Sequence, residues 1–400
     1  MKKRVAIISA GLLPLPAVSG GAVEVLSELL INGLSKDYIV DVFSISDKRL
    51  KSYKKNNVNI HEIKVYKCEI LFCRVINKIS KILGGDLAIF PYDLKVSNKI
   101  KNNKYDLIIV ENSCYLYNNV YKNYSFKTKF ILHLHNEFDS VTKRGINAYK
   151  FVSKTASKIL VVSNYLKKKC LKVQKTNNID VFYNCVDLEL FNQKNIQNSN
   201  EKVKNKFSYI YTGRICDEKG VLELIKAFTK MNDKYQNIEL TIVGAGWFSK
   251  KKKSSFEIKL QNISAKVKEK IIFTGYLNHD DIPVALSKAD CVIIPSKWEE
   301  AFGVVALEAM AMKKAIIATN SGGLVEPLNK ECAIIIEREN LVENLYNSME
   351  KLYKDEKLRE RLANNAYERV HSIKDFNKEY YFDNFLKLSG IEEENSNENK

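Results

Sequence analysis

The sequence lacks the paired cysteines of zinc sites, redox sites and disulfide frameworks. None of its eight cysteines belongs to a Cys-x-x-Cys pair, and no histidines stand at zinc-ligand spacing. The cysteines are scattered singly, at Cys68, Cys73, Cys114, Cys170, Cys185, Cys216, Cys291 and Cys332. We therefore expect reduced thiols and a cytoplasmic location.

The sequence also lacks an uninterrupted apolar run of the length that spans a membrane, about 18 residues. Its basic start, Met1–Arg4, could imitate the beginning of a signal peptide. However, the apolar run Val5–Ser9 leads into Gly11 and two prolines, and Gly20 and Gly21 then open a run with helical spacing. We interpret this start as strand, loop and helix.

A Gly-x-Gly-x-x-Gly loop is absent after the first strand, which argues against a dinucleotide oxidoreductase. A chain of 400 residues predicts two domains of roughly 150–200 residues each. Its formal charge of +17 predicts a polyanionic partner. Nucleic acid, an anionic membrane surface and phosphorylated small molecules all qualify, and the sign of the charge alone does not choose among them.

Apolar runs typical of buried parallel strands alternate with segments of helical spacing, which predicts doubly wound α/β domains. The predicted strands are Val5–Ser9, Tyr38–Ile45, Val58–Val65, Leu107–Val110, Lys129–His135, Ile159–Ser163, Val181–Tyr183, Phe207–Thr212, Glu239–Val243, Ile271–Gly275, Cys291–Pro295 and Ala315–Thr319. The predicted helices include Ala22–Leu34, Ile70–Leu83, Val221–Met231, Val304–Met312 and Asp375–Leu388. Between the two sets of strands, Phe191–Lys206 is rich in Asn, Gln and Lys, a composition typical of a linker.

The stretch Ile294–Ala311 places carboxylates between a strand and a helix, where ligands bind in open α/β sheets. Glu299 and Glu300 lie in the loop, and Glu308 lies inside an apolar helix start. These could be solvated charges. An unpaired buried carboxylate would be costly, so we expect Glu308 to hold a ligand hydroxyl or a protein donor.

Further polar residues follow other predicted strands. Arg214 and Lys219 share one loop, where a planar fork and a point charge together suit a diphosphate. His133 and His135 share one side of a strand by alternation, and His135 lies at its carboxyl end. A lone strand histidine is usually structural, and surface charge is the default interpretation of the two cations.

These segments resemble the retaining family-4 glycosyltransferases. The resemblance rests on Pro-Ser-x-x-Glu-x-Phe-Gly with Glu-Ala-Met-Ala behind it, on the Gly-Arg and Lys-Gly signature around Arg214 and Lys219, on His-Leu-His-Asn, and on glycine loops. It implies the GT-B architecture, in which two Rossmann-like domains face a central cleft. It further implies an N-terminal acceptor-side domain at 1–190, a linker at 191–206, a nucleotide-sugar-binding domain at 207–374, a helix at 375–390 that crosses back, and a tail at 391–400 that we expect to be disordered.

The resemblance implies transfer of a sugar from a nucleotide-diphosphate sugar to a glycan or lipid-linked acceptor, with retention of configuration. Arg214 and Lys219 would hold the diphosphate, Glu300 the sugar hydroxyls and Glu308 the ribose, with His135 near the anomeric carbon. The donor-binding residues that it implies are Gly20, Gly21, Arg214, Lys219, Gly244, Tyr276, Leu277, Glu300, Phe302, Gly303, Glu308, Gly322 and Gly323. No cofactor or metal is expected, because no Asp-x-Asp pair suggests a metal bridge.

Two positions depart from the family pattern. Cys185 stands where glycine is usual, so its turn must differ or tolerate a side chain. Lys313 occupies a turn in which the family favours Gly and Pro. A left-handed residue there would cost about 1 kcal/mol, so we expect this turn to be rebuilt.

The segment Ile70–Leu83 predicts an amphipathic helix with apolar residues on one side and Arg74, Lys78 and Lys81 on the other. Such a helix either packs on its own domain or faces an anionic membrane. Two further functions stay open beside the transferase, a GT-B sugar-nucleotide epimerase and a noncatalytic basic binder of membranes or nucleic acid. The transferase needs no nucleic-acid partner. The sequence leaves the sugar, the base and the acceptor open.

Overall fold

The computed structural model describes residues 2–82, 89–195, 206–246 and 255–391. The chain divides into two compact units, unit 1 (Met1–Tyr183 with Tyr381–Lys400) and unit 2 (Asn184–Tyr380). Each unit is built on one parallel sheet, so the α/β class with two Rossmann-like domains is confirmed. Residues 196–205 of the predicted linker and 392–400 of the predicted tail lie outside the described residues, and the predicted domain boundaries stay a prediction.

Unit 1 contains a seven-stranded parallel sheet in the order β3-β2-β1-β4-β5-β6-β7. Its strands are β1 (Arg4–Ile8), β2 (Ile39–Ile45), β3 (Val58–Ile63), β4 (Leu107–Glu111), β5 (Lys129–Leu134), β6 (Lys158–Val161) and β7 (Ile179–Val181). The central strands are apolar on both sides because the sheet is covered on both faces; all four residues from Val5 to Ile8 are fully buried.

Six helices of unit 1 lie within the described residues, and three of them start at a side-chain cap. They are α1 (Ala22–Leu34), α2 (Lys67–Ile82), α3 (Pro91–Ile100), α4 (Cys114–Asn123), α5 (Lys143–Thr155) and α6 (Asn164–Val173). The hydroxyls of Ser113, Thr142 and Ser163 each accept a hydrogen bond from a backbone N–H in the first turn of α4, α5 and α6. Leu83, predicted as the end of α2, lies outside the described residues.

Unit 2 contains a six-stranded parallel sheet in the order β10-β9-β8-β11-β12-β13. Its strands are β8 (Phe207–Thr212), β9 (Ile238–Val243), β10 (Ile271–Gly275), β11 (Cys291–Ile294), β12 (Ala315–Thr319) and β13 (Ile334–Ile336). Its helices are α7 (Val221–Lys234), α8 (Ser255–Ile263), α9 (Ile282–Ser287), α10 (Val304–Ala311), α11 (Leu341–Lys354) and α12 (Glu356–Ser372). A core of large side chains, among them Tyr209, Phe228 and Met231, packs between the sheet and its helices.

The last helix, α13 (Lys378–Ser389), belongs to unit 1 from Tyr381 onward. Its aromatic side chains pack within that unit. The ring of Tyr381 stacks on that of Phe182 at 4.4 Å, and Phe382 lies so close to Gly33 that a Cβ there would come within 2.3 Å of its ring. The aromatic pattern of the predicted helix is thus used for packing.

The turn after α10 corrects one expectation. Lys313 adopts the left-handed conformation itself, with φ 53°, so the prediction of a rebuilt turn is wrong. The N–H of Lys313 donates to the carbonyl of Met310, and the N–H of Lys314 donates to that of Ala309. This is a Schellman motif, and its two hydrogen bonds to otherwise unpaired carbonyls offset the strain of about 1 kcal/mol. Cys185, by contrast, is simply buried without positive φ.

Each sheet has one point at which its strand order reverses. In unit 1 this point lies between β1 and β4, and in unit 2 between β8 and β11. The loops that leave the carboxyl ends of these strand pairs diverge, which opens a crevice where ligands bind in open α/β sheets. Half of the predicted site residues lie on these loops, and the others follow neighbouring strands or lie in α10.

Candidate active site

The loop after β8 carries the two predicted cations of unit 2. Gly220, with φ 69°, ends the loop and starts α7. A Cβ at this position would lie 1.9 Å from the carbonyl oxygen of Pro295, so only glycine lets the loop approach the end of β11 this closely. The approach places Lys219 beside the carboxylate loop.

Glu300 is the centre of this arrangement. Its Oε1 accepts hydrogen bonds from Nζ of Lys219 at 2.6 Å, from Nε1 of Trp298 at 3.0 Å and from the hydroxyl of Ser296. Burial by itself raises the pKa of Glu300, but the charge and hydrogen bond of Lys219, together with the other two donors, hold the pKa below its usual value. Glu300 is therefore an ionised carboxylate at neutral pH, and all three protein donors meet the same oxygen.

Trp298 is a site residue that sequence reasoning missed. Its ring lies under both cations, with the guanidinium carbon of Arg214 at 5.7 Å and Nζ of Lys219 at 5.4 Å from the ring centroids. Trp298 is 39% exposed, so part of this residue is accessible to a ligand at the site. A tryptophan between Ser296 and Glu300 in a carboxylate loop was the available signal.

Backbone contacts join the carboxylate loop, residues 296–303 after β11, to the second glycine loop, residues 321–324 after β12. The N–H of Gly323 donates to the carbonyl of Glu300 at 2.7 Å, and the hydroxyl of Ser321 donates to the carbonyl of Trp298. Gly322 adopts φ 53° at the start of this turn. The two loops thus hold each other in place at the ends of β11 and β12.

Glu299 turns away from the cluster. Its carboxylate pairs with Arg338 at 2.7 Å, and Arg338 also donates to the carbonyl of Lys297. This pair anchors the outer side of the carboxylate loop, and of the two adjacent glutamates it is Glu300 that pairs with Lys219.

Glu308 has the protein donor expected of a buried carboxylate in α10. Nε2 of His279 lies 3.2 Å from its Oε1. The hydrogen bond to Glu308 raises the pKa of His279 above the usual value although burial opposes this. His279 was missed in the sequence; it follows β10 by four residues in a loop whose interest had been assigned to Tyr276 and Leu277.

The remaining predicted residues of unit 2 have separate places. Gly244 approaches Gly213 so closely that a Cβ would lie 1.9 Å from its carbonyl oxygen. Tyr276 is exposed and Leu277 is partly buried after β10. Phe302 is buried, and its ring lies 6.0 Å from that of Phe376, so it supports the loop from inside. Gly303, with φ 92°, starts α10 against Leu324.

In unit 1, the predicted glycine loop precedes α1. Gly20 and Gly21 have φ 71° and 103°, and a Cβ at Gly21 would lie 2.3 Å from Oε2 of Glu24. Glu24, in the first turn of α1, is buried, and burial raises its pKa to about 7. Sequence reasoning missed Glu24, because an acidic residue in the first turn of a helix is common.

His135 lies directly after β5 and is buried with His133 and Glu111. Oε2 of Glu111 accepts a hydrogen bond from Nε2 of His135 at 3.1 Å, and Nδ1 of His133 lies 3.1 Å from the same oxygen without hydrogen-bond alignment. Burial, with His133 adding to it, lowers the pKa of His135. Glu111 sits opposite His133 in the register of β4 and β5, a pairing that the sequence alone did not reveal.

Glu111, His133 and His135 offer ligand atoms within 4.8 Å of one another, the spacing that a metal ion needs. The second nitrogen of each ring, Nε2 of His133 and Nδ1 of His135, has no hydrogen-bond partner among the described residues. Metal-bound histidines almost always donate this second N–H to an acceptor. We therefore interpret the three residues as a carboxylate–imidazole cluster.

Two family models match this chain, one in each half. The family model "Glycosyltransferase Family 4" matches residues 19–190, and "Glycosyl transferases group 1" matches residues 192–369. A putative glycosyltransferase, YtcC of Bacillus subtilis, is 26% identical over 92% of this chain and 88% of its own length. A lipopolysaccharide 1,2-N-acetylglucosaminetransferase of Salmonella typhimurium is 28% identical over 68% of each chain.

Among solved structures, Anabaena Alr3699/HepE in complex with UDP and glucose superimposes with a TM-score of 0.74. The likeness covers 98% of this chain and 100% of that one at 17% identity, which is evidence for the shared fold.

Proposed function

The chain belongs to the group 1 and family 4 glycosyltransferases of GT-B fold, and from this premise we propose that unit 2 binds a nucleotide-diphosphate sugar whose sugar is transferred with retention of configuration. One observation carries the proposal. Two cations and an ionised glutamate converge on the loops at the strand-order reversal of unit 2, with Lys219 bonded to Glu300 at 2.6 Å. A diphosphate needs the cations, and a sugar hydroxyl needs the carboxylate.

Each charged group has a distinct task in this proposal. Arg214 and Lys219 bind the diphosphate, Glu300 accepts a hydrogen bond from the sugar, and Glu308 accepts from the ribose. The bond between the anomeric carbon and the diphosphate breaks, and a bond from the acceptor hydroxyl oxygen forms. The hydroxyl proton leaves with the diphosphate or to solvent. Negative charge grows on the diphosphate meanwhile, so fixed cations stabilise the transition state more than the bound donor.

Complexes of the structural neighbour support the donor class. Alr3699/HepE was solved with UDP, with UDP and glucose, and with UDP-glucose. The likeness of fold makes UDP-sugars the first donors to test on this chain.

A thermal-shift panel of nucleotide sugars tests the proposal. A ligand that binds only the folded protein at a hundred times its Kd stabilises it by about 2.7 kcal/mol, so the melting temperature rises with ligand concentration. We expect at least one nucleotide-diphosphate sugar to do this and the matching sugar 1-phosphate not to. If no nucleotide sugar in the panel raises the melting temperature, the donor assignment is wrong. Product NMR then reads the anomeric configuration, and incubation of donor without acceptor exposes an epimerase.

We further propose that the protein acts at an anionic membrane surface, where a lipid-linked or polysaccharide acceptor would be found. Helix α2 supports this. Only Cys73 of its sixteen residues is buried, while Leu71, Phe72 and Ile82 are 63%, 66% and 73% exposed. Arg74, Lys78 and Lys81 are exposed beside them. Its own unit covers the apolar side only in part: Cys73 is buried and Ile76 is partly buried, whereas Leu71, Phe72 and Ile82 are exposed.

Two contributions to membrane binding add up in this proposal. Apolar side chains of an interfacial helix insert at the headgroup boundary, and each basic residue near an anionic leaflet contributes about 1 kcal/mol, an effect that salt screens. Among the described residues no helix is both long and apolar enough to cross a bilayer. The proposed association is therefore peripheral.

Vesicle sedimentation at low and high salt tests this second proposal. We expect the wild type and a Phe126→Ser control, which changes a partly exposed phenylalanine elsewhere in unit 1, to sediment with anionic vesicles at low salt only. Phe72→Ser should weaken sedimentation. Equal sedimentation with anionic and zwitterionic vesicles at low salt would contradict the proposal and remove the support for a lipid-carried acceptor.

A further inference from the structure

One indole contacts three of the charged side chains to which the donor is assigned. The ring of Trp298 lies within 5.7 Å of the Arg214 guanidinium carbon and 5.4 Å of Lys219 Nζ, and its N–H donates to Glu300 at 3.0 Å. Trp298 does not belong to the hydrophobic core cluster of unit 2. Its conformation therefore calls for an explanation at the site.

The orientation of this indole is fixed from several sides. The indole N–H donates to the buried carboxylate of Glu300, and the backbone carbonyl of Trp298 accepts a hydrogen bond from the hydroxyl of Ser321. The carbonyl of the preceding residue, Lys297, accepts from Arg338 at 3.2 Å. The indole N–H is thus bound to Glu300, while the backbone that carries Trp298 is held by Ser321 and Arg338.

A ring held in this way reduces the repulsion between Arg214 and Lys219. Arg214 and Lys219 lie on one loop and repel each other, and the negative face of an indole attracts both cations. The carboxylate of Glu300 pairs directly with Lys219, whereas the guanidinium of Arg214 lies over the ring of Trp298. The indole is the group common to all three.

We propose that Trp298 is a positioning residue, which holds Arg214 and Lys219 in place for the diphosphate and turns Oε1 of Glu300 inward so that Oε2 meets the sugar. The proposal rests on the proposed function for its chemistry. It assigns no contact of Trp298 with the reacting atoms.

Two substitutions separate the two contacts. Trp298→Phe keeps an aromatic face for the cations and loses the N–H, whereas Trp298→Leu loses both. A shift of catalytic groups by about 1 Å can slow an enzyme roughly a hundredfold, so we expect Trp298→Leu to lower kcat roughly tenfold to a hundredfold and Trp298→Phe to recover part of it. Both are assayed at saturating concentration of the nucleotide sugar that gives the largest thermal shift.

The matched control is Tyr346→Leu. The ring of Tyr346 on helix α11 lies 5.8 Å from Nζ of Lys230 on helix α7, a cation–aromatic pair of the same unit away from the carboxylate loop. It should leave kcat within about twofold of the wild type if loss of such a pair is harmless in general. A loss equal to that of Trp298→Leu would overturn the positioning role.

A second readout does not depend on turnover. Carbon-13 NMR of the Glu300 carboxyl group in the ligand-free protein follows its pKa, which Lys219, Ser296 and the indole N–H hold low against burial. Both Trp298 variants should raise that pKa, because each removes one donor. Trp298→Phe remains available if Trp298→Leu does not fold.

The outcomes divide clearly. Wild-type kcat and KM in Trp298→Leu, equal losses in the Phe and Leu variants, or an unchanged Glu300 pKa would each overturn the assigned role. If the wild-type protein transfers no sugar from any nucleotide, the proposed function fails instead, and the titration of Glu300 still decides whether the indole positions that carboxylate.

Discussion

Nζ of Lys219 lies 2.6 Å from Oε1 of Glu300, an ion pair between the loops that follow β8 and β11. Both side chains are largely removed from solvent, so removing one partner leaves an uncompensated charge on the other. The pair neutralises the charge of Lys219 locally, and a diphosphate bound by Lys219 would share this lysine with Glu300. Loss of Lys219 therefore also leaves Glu300 without this partner, which loss of Arg214 does not.

Arg214→Ala and Lys219→Ala should lower kcat strongly at saturating donor. By analogy with single oxyanion donors, the loss is roughly a hundredfold to a thousandfold, about 3–4 kcal/mol of transition-state stabilisation. Lys219→Ala should be the more damaging variant because it also strands Glu300. Steady-state kinetics with Lys226→Ala, an exposed lysine on α7, as control decide the matter. Wild-type kcat with a changed KM in both cation variants would contradict the assigned role.

Glu308→Gln should chiefly raise KM for the donor. A ribose contact lies away from the reacting bond, so it is made equally in the bound donor and in the transition state, and its loss weakens binding without slowing chemistry. Donor titrations of the variant check this. A fall in kcat with KM unchanged would place Glu308 in the chemical step.

The pair of His279 and Glu308 should appear in a proton NMR titration. The pKa of His279 lies above its usual value of 6.5, first because of the hydrogen bond to Glu308. A raised folded-state pKa gives stability that is complete below about pH 6.5 and is lost as pH rises through the folded value. The ring protons of His279 should titrate at lower pH in Glu308→Gln than in the wild type. Equal midpoints would show that the pair does not form in solution.

Transfer should proceed without a divalent metal. Arg214, Lys219 and loop amides can supply the positive charge that a metal bridge would otherwise give. We expect the rate to be unchanged by EDTA. Activity that EDTA abolishes and magnesium or manganese restores would count decisively against this prediction.

Glu24→Gln should stabilise the protein near neutral pH. Burial raises the pKa of Glu24 from 4.5 to about 7. A raised acid pKa means that ionisation favours the unfolded chain, so stability is lost between about pH 4.5 and pH 7, with an upper limit of about 3 kcal/mol for the full shift. The melting temperatures of variant and wild type should agree at pH 4 and diverge toward pH 7. A constant difference across this range would show that Glu24 is not held protonated.

Several elements were predictable because their local signals and their burial agree. Helix Ala22–Leu34 and strands Phe207–Thr212, Ile271–Gly275 and Ala315–Thr319 were predicted with the bounds that the structure has. Apolar runs of strand length between glycine-rich loops leave little choice once the sheets are parallel and buried. Other ends shifted by a few residues, as for α13, which begins at Lys378 rather than Asp375.

The turn at Lys313 shows where local reasoning failed. The strain of a left-handed lysine is a local quantity and was estimated correctly in sign. The two capping hydrogen bonds that make it tolerable depend on how α10 ends, which the residue type does not state.

The sequence alone determined the alternation of strands and helices that predicts two α/β domains. It also placed Arg214, Lys219 and Glu300 in loops after predicted strands and Glu308 in the helix that follows. Only the tertiary structure decided the partners of these charges. The contacts of Trp298 with the two cations, of His279 with Glu308, and of Glu111 with His133 and His135 join residues that lie 22 to 84 positions apart in the chain. Sheet register and the approach of loops bring these residues together. Residue spacing fixes which face of a strand or helix a side chain occupies. Which side chain stands opposite is settled by packing, since the free energy of a buried charge depends on its partner.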